Sequence, residues 1–337
     1  MIGIEWFKIK ILSRMEIGSF IELDIPDNGE YFQQDNDLAR LNAARTGIFH
    51  ALRLLNCSTI YLPYYLCSSV RDFLIRKGIK IYYYNLTNKF EPIVDKQEPE
   101  TAILIVNYFG ILSHSYLTKI SSKYKNVIID NCPAFYNLPI EGYFNVYSPR
   151  KFFGVPDGCY VVGKNAKQFV EEYQKDYSSG TSAFLLKRIE SGSSATYAER
   201  MLNETRINTS DILQMSALTQ VLLGGIDYER IRAKRKENFD FAHKLYKSFN
   251  LLDLDYFNDS SSIPMVYPLV IEDLNLVKTL TDKNIYTGRW WNHVLKELPD
   301  NTFEAWLSSY MVPIPIDQRY GEKQIELVYN EIRESLS

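Results

Sequence analysis

The chain has 337 residues, 46% of them apolar, enough for packed cores in about two domains and against a disordered or fibrous class. A formal charge of −3 and a pI near 5.9 give no electrostatic basis for nucleic acid or an anionic membrane as the main partner, and point to a small-molecule substrate. Cys57, Cys67, Cys132 and Cys159 are spaced without a C-x-x-C pair or histidines at zinc-ligand distance, so they are expected as reduced core thiols and no metal site is expected.

Residues 1–35 form an N-terminal segment with no assigned role. Its start alternates charged and apolar residues, unlike a signal peptide, and no later run is long enough to span a bilayer, so the expectation is a cytoplasmic protein. From about residue 41 to 162 the apolar runs STIYL, IKIYYY, TAILIV, NVIID, YFNVY and CYVV alternate with stretches of helix length. This alternation predicts an α/β fold, a mostly parallel sheet covered by helices. Ligands in such sheets sit at the carboxyl ends of the strands, where Asn107, Asp130, Ser148 and Lys151 fall. Residues 177–211, containing SSGTS and SGSSAT, read as a polar excursion between domains or subunits. Helices are predicted at 215–223 and 228–250. A large domain over 36–235 then gives way to a small one over 236–337, with an apolar run at 265–271, a helix at 274–283 and an amphipathic helix from Glu322.

Lys151 is followed by Phe152, Phe153, Gly154 and Val155, an apolar setting that favours a neutral, nucleophilic amine; the alternative is a strand-end lysine reaching to solvent. Asp130 ends the run NVIID. It suits either a salt bridge to the ring nitrogen of pyridoxal phosphate or a cap on the following loop. In LNAARTGIFHALRLL, Ala44, Arg45, Thr46 and Gly47 open an apolar-periodic helix whose first amides can hold a dianion, with the Thr46 and Ser148 hydroxyls adding hydrogen bonds; Thr46 equally suits an N-cap. GRWWNHVL gathers Arg289, Trp290, Trp291 and His293, suited to stacking a sugar and binding an anion, or to core or interface tryptophans beside an exposed arginine. Asp317 and Arg319 suit a structural ion pair, and the basic stretch 229–238 a solvated helix. Dinucleotide, nucleoside triphosphate, serine hydrolase and zincin motifs are absent.

Taken together, residues 43–47, YLPYYLC at 61–67, IVNYFG at 105–110, IIDNCPA at 128–134 and KFFGVPDGCYVV at 151–162 resemble, in order, the motifs of the DegT/StrS-type sugar aminotransferases, which are fold-type-I pyridoxal phosphate enzymes. The resemblance implies a central, mostly parallel sheet with helices on both faces, a smaller C-terminal α+β domain, and a homodimer. It also implies pyridoxal 5'-phosphate as cofactor and amino transfer from an amino donor to a keto-sugar, nucleotide-linked. Lys151 matches the Schiff-base lysine and Asp130 the pyridine-nitrogen carboxylate. Ala44, Arg45, Thr46, Gly47 and Ser148 match the phosphate site, Tyr65 and Cys67 the ring face, and Asn107 a position beside the ring, with Arg289, Trp290 and His293 toward the substrate. The chain departs from the family at Pro133 and Asn107, at the three-residue rather than five-residue step from Ser148 to Lys151, and at DILQM, residues 211–215, which replaces the segment by which a neighbouring subunit reaches the phosphate. Two other outcomes use the same residues: sugar dehydration or another imine reaction, and a non-catalytic dimeric scaffold.

Overall fold

A computed structural model describes residues 17–33, 37–257 and 262–336. Strand β1 (Leu38–Leu41) leads into helix α1 (Ala44–Leu55), followed by β2 (Thr59–Pro63), α2 (Ser68–Arg76), β3 (Lys80–Leu86), β4 (Pro92–Ile93), β5 (Ala102–Val106), α3 (His114–Ser121), β6 (Val127–Asp130), β7 (Phe144–Tyr147) and β8 (Cys159–Val162). These strands form one sheet in the order β1-β8-β7-β6-β5-β2-β3-β4. The central β7, β6, β5, β2 and β3 are parallel, while β1, β8 and β4 pair antiparallel. Strands β5 and β6 are buried along their whole length, which is why AILIV and VIID are continuous rather than alternating runs. Strand β1, LARL, carries little strand propensity of its own and owes its conformation to pairing with β8.

Helix α1 lies on the sheet through Ile48, Ala51 and Leu52 and ends at Asn56, whose left-handed backbone (φ +54°) closes the last turn. Its close approach needs Gly47. A Cβ there would stand 2.5 Å from Cys159 Sγ and 3.0 Å from Val161 Cγ2. Cys57, Cys132 and Cys159 are buried as expected, but Cys67 is exposed; all four are free thiols.

Residues 177–211 differ from the expected irregular excursion. They hold helices α4 (Ala183–Ala195) and α5 (Tyr197–Thr209). Helix α4 buries no residue and α5 only Asn203 and Ile207, so neither carries the apolar stripe that makes a helix visible in a sequence. Beyond them lie α6 (Ala217–Gly224), α7 (Tyr228–Tyr246), β9 (Tyr267–Val270), α8 (Leu276–Asp282), α9 (Val294–Glu297), α10 (Phe303–Tyr310), β10 (Met311–Ile314) and α11 (Glu322–Leu336). Strands β9 and β10 pair antiparallel in a second sheet, against which α7 packs. Helix α7 runs unbroken through residue 236, so one helix bridges the two expected domains. Arg235, expected on a solvated face, is instead buried. Its guanidinium lies 4.4 Å from the Phe152 ring and donates to Gln318 and to the Met265 carbonyl. Asp317 and Arg319 form the expected ion pair at 2.7 Å.

In the N-terminal segment, Tyr31 and Phe32 join a cluster of rings with Phe135, Tyr147 and Tyr160; residues 1–16, 34 and 35 lie outside the described ones. No described helix is long and apolar enough to cross a membrane.

Candidate active site

Strands β6 and β7 run side by side and parallel, with Asp130 in register with Val146, so their carboxyl ends deliver Asp130 and Ser148 to the same rim. Ser148 then caps a single 3₁₀ turn, Pro149–Lys151, in which the Lys151 amide donates to the Ser148 carbonyl at 3.3 Å. Ser148 itself is extended and buried, so the short step to Lys151 is made by this one turn. The apolar setting expected for the Lys151 amine is not found. Phe152 and Phe153 turn inward onto Phe135, at 5.9 and 4.9 Å between ring centroids, and leave Lys151 exposed, without a hydrogen bond or ion pair among the described residues. Asp130 is 6% exposed, and its carboxylate accepts the Cys132 amide at 2.9 Å. Burial pushes the Cys132 thiol well up, the negative Asp130 adds to this and the positive Lys151 opposes it, so both charges act on the same small region.

Asn107 is fully buried and holds backbone. Its amide donates to Asn131 Oδ1 at 3.2 Å, and its Oδ1 accepts the Leu112 amide at 3.2 Å. Asn131 in turn donates to Asn145 at 3.4 Å, and Asn145 ties down the backbone of Ile140. This chain of amides under the rim went unnoticed in the sequence, where its members lie on separate strands.

At the start of α1, the amides of Ala44 and Arg45 have no intrahelical acceptor and no other partner among the described residues. Thr46 is spent on the cap: its hydroxyl donates to Asn42 Oδ1 at 2.8 Å and accepts the Ala43 amide at 3.3 Å. It is fully buried and offers nothing outward. Gly47 faces the sheet, its role being close packing. The Ser148 hydroxyl makes no hydrogen bond among the described residues, and Arg45 is buried with two nitrogens unpaired.

On the far side of the rim, Tyr65 is fully buried with its hydroxyl unpaired, and burial pushes that phenol well above its usual range. Its ring meets Trp291 edge-on at 4.4 Å and Tyr108 at 5.7 Å. Trp290 packs on Phe109 at 5.5 Å. The tryptophans therefore join the C-terminal segment to the loops after β2 and β5. Trp291 does so from a left-handed backbone (φ +59°), a conformation costing a non-glycine residue ~1–2 kcal/mol. Arg289 donates through Nη2 to the Asp273 carbonyl at 2.6 Å, leaving Nη1 buried and unpaired. Cys67 is bonded to Ser69 Oγ at 3.1 Å and lines a small recess with Arg71, Tyr83 and His293, whose pKa burial lowers.

The sequence reading missed Asp157. Fully buried, it accepts the Ser216 amide at 2.9 Å, the Ser216 hydroxyl at 2.7 Å and the Thr219 hydroxyl, which fastens the start of α6 to the loop after Lys151. It also missed α5. Glu204 pairs with Arg150, and Asn203 donates to the Pro156 carbonyl at 2.7 Å. In the sequence, Asp157 precedes a glycine and reads as an ordinary turn. No cluster of metal-ligating side chains occurs among the described residues.

No protein-family model and no curated protein sequence matches the chain. Solved structures do match. A sugar aminotransferase from Micromonospora echinospora is 14% identical with a TM-score of 0.62, covering 88% of this chain and 87% of that one. NtdA from Bacillus subtilis with bound cofactor PMP is 14% identical with a TM-score of 0.62 over 88% of this chain and 73% of its own. A DegT DnrJ EryC1 StrS aminotransferase from Brucella abortus is 12% identical with a TM-score of 0.59 over 88% and 85%. The strand order, the paired strand ends carrying Asp130 and Lys151, and these similarities together give the chain the fold of the DegT/DnrJ/EryC1/StrS sugar aminotransferases.

Proposed function

We propose that this chain is a pyridoxal phosphate-dependent aminotransferase that moves an amino group from a donor amino acid to a keto-sugar, nucleotide-linked. The observation that carries this is the placement of a buried carboxylate, Asp130, and an unpaired amine, Lys151, at the carboxyl ends of adjacent parallel strands, in the fold of a solved protein that holds PMP. The residues fit the cofactor. Amides of Ala44 and Arg45 and the hydroxyl of Ser148 stand without partners where a phosphate needs donors.

When bound, the cofactor supplies an electron sink next to the reacting carbon. Asp130 holds a proton on the ring nitrogen through its negative charge. Lys151 Nζ would be the point of covalent attachment and, when free, the group that takes and returns a proton. Tyr65 and the Asn107 loop wall the ring, and Arg289 Nη1 meets an anionic group of donor or sugar beside Trp290. His293 and Cys67 line a small recess of their own with Arg71 and Tyr83. The chain works as a cytoplasmic homodimer, for which Leu186, Ile189 and Leu202, single exposed apolar side chains of α4 and α5, offer contacts.

The test is direct. Protein incubated with pyridoxal phosphate is expected to turn yellow, borohydride to fix the cofactor on Lys151 by peptide mapping, and K151A to lose both the colour and about 10³–10⁴-fold in turnover. A wild-type protein that stays colourless sinks the proposal in favour of a scaffold. An eliminated rather than aminated sugar, from a keto-sugar and glutamate, moves it to the dehydration chemistry.

A further inference from the structure

We infer that the side chains of Arg45 and Arg150 form an anion pocket, built from one chain alone, that holds the cofactor's phosphate together with the α1 amides. This rests on the function proposed above. Arg45 is 5% exposed, yet only Nη1 is bonded, to Asn208 Oδ1 at 3.2 Å, and its Nε and Nη2 are buried without partners. Arg150 reaches Glu204 through Nη2 and keeps a buried, unpaired Nε. Three guanidinium nitrogens are thus buried and unsatisfied beside the same face of α5.

The surrounding charge does not supply what they lack. The charges acting most strongly on Arg45 are Arg150 and Arg76, both positive, with the negative Glu204 behind them. Arg76 is turned to the Asn208 carbonyl at 3.3 Å. Around Arg150 stand Glu204, Asp157 and Arg200; Glu204 is its ion-pair partner and Asp157 is fully engaged by Ser216 and Thr219. A buried cation without a counter-ion is costly, and a structure keeps one where a ligand provides the missing charge. Burial, with the two arginines adding to it, lowers the Arg45 pKa to about 10, consistent with an unmet demand for negative charge.

Position identifies the anion. Arg45 is the second residue of α1, whose first amides are free, and Arg150 lies between Ser148 and Lys151, so both guanidinium groups are anchored on the two segments that would hold the phosphate. Arg150 retains 20% of its side chain in solvent, so the pocket can be entered. Its remaining wall is α5 of the same chain, through Asn208 and Glu204. Planar guanidinium groups match a phosphate monoester through paired N–H bonds, which an ammonium does not reproduce.

Two measurements on the full chain test this. First, inorganic phosphate alone is expected to raise the melting temperature of cofactor-free wild type but not of R45M. Equal stabilisation of both, or of neither, overturns the pocket. Second, uptake of pyridoxal phosphate and of pyridoxal, which lacks the phosphate, is followed by absorbance. R45M is expected to weaken pyridoxal phosphate about tenfold to a hundredfold, the scale of lost charged hydrogen bonds, and to leave pyridoxal unchanged, with R45K recovering part. Equal weakening of both compounds makes Arg45 structural and overturns the inference, as does unchanged affinity for pyridoxal phosphate. If R45M does not fold, R45K and R150K carry the same comparison. A wild type that takes up neither compound defeats the proposed function itself, whereas one that binds pyridoxal phosphate as well as its R45M variant does defeats only the pocket.

Discussion

Two regions meet at Lys151 and are built by opposite means. On one side, the turn is backed by packed rings: Phe152 and Phe153 lie on Phe135, which also touches Tyr31, Phe32, Tyr136 and Tyr228. On the other, α4 and α5 bury almost nothing and are fastened by polar contacts, Glu204 to Arg150, Arg206 to Asp176 at 2.6 Å and Asn203 to Pro156. Apolar packing holds a main chain through many weak contacts that water cannot replace, whereas a few partly buried ion pairs leave most of a helix's surface in water. The turn that carries the exposed Lys151 is therefore set on a rigid base and tied, through Arg150, to a polar roof over its other residues that buries little.

The sharpest way to break this contrast is to hollow the base. F135A removes a fully buried ring at the centre of the cluster and is expected to cost about 3–5 kcal/mol in denaturant unfolding. A loss under about 1 kcal/mol would mean the rings are not what holds the turn. Next in size is the seat of α1. G47A forces a Cβ against Cys159 Sγ and is expected to cost about 1–3 kcal/mol, partly restored in G47A/C159A because the clashing sulfur is gone. Additive effects of the two substitutions would show that the helix shifts instead.

The same contrast explains what could be read in advance. The strands were legible because β5 and β6 are buried on both faces and so leave unbroken apolar runs, each ended by the polar residue that reaches the rim. Asp130 and Lys151 were legible as strand-end residues, but the sequence left a buried and a solvent-reaching Lys151 both open: the 3₁₀ turn sends Phe152 inward and Lys151 outward, and adjacency in sequence says nothing of facing. Thr46 was ambiguous between cap and ligand, and the structure gives its hydroxyl to the cap. Helices α4 and α5 stayed hidden because their sequence has no apolar stripe to pattern. Asp157, and the contact of Arg45 with α5, were hidden for a further reason, since the partners lie far along the chain in α5 and α6.

A pH scan probes the base from a third direction. His50, buried on α1, bonds through one ring nitrogen to the Ala166 carbonyl at 2.7 Å and through the other to the Tyr173 hydroxyl at 2.9 Å, an arrangement that suits the neutral ring. Burial, the largest cause, lowers its pKa; Arg53 acts the same way, while the Ala166 bond and Glu172 oppose it. Because the folded pKa is depressed, the unfolded chain takes up the proton first as pH falls below about 6.5, and stability is expected to drop by up to about 1.4 kcal/mol per pH unit from there, with no contribution above it. H50Q is expected to flatten that part of the curve, and an unchanged slope in H50Q would assign it to other groups.

The smallest effect belongs to the roof. Glu204 and Arg150 keep 26% and 20% of their side chains in solvent, so E204Q is expected to lower global stability by no more than about 1 kcal/mol. Its signature is local. With that contact weakened, α4 and α5 have few buried residues to oppose opening, so hydrogen exchange across residues 183–209 is expected to quicken several-fold while the amides of β5 and β6 change only as far as global stability does. If the core strands and the two helices accelerate together, the roof is no separate unit and the difference between packed base and polar roof disappears. If only the helices respond, α4 and α5 are held by ion pairs that salt can tune, and raising ionic strength should reproduce the E204Q exchange pattern in the wild type.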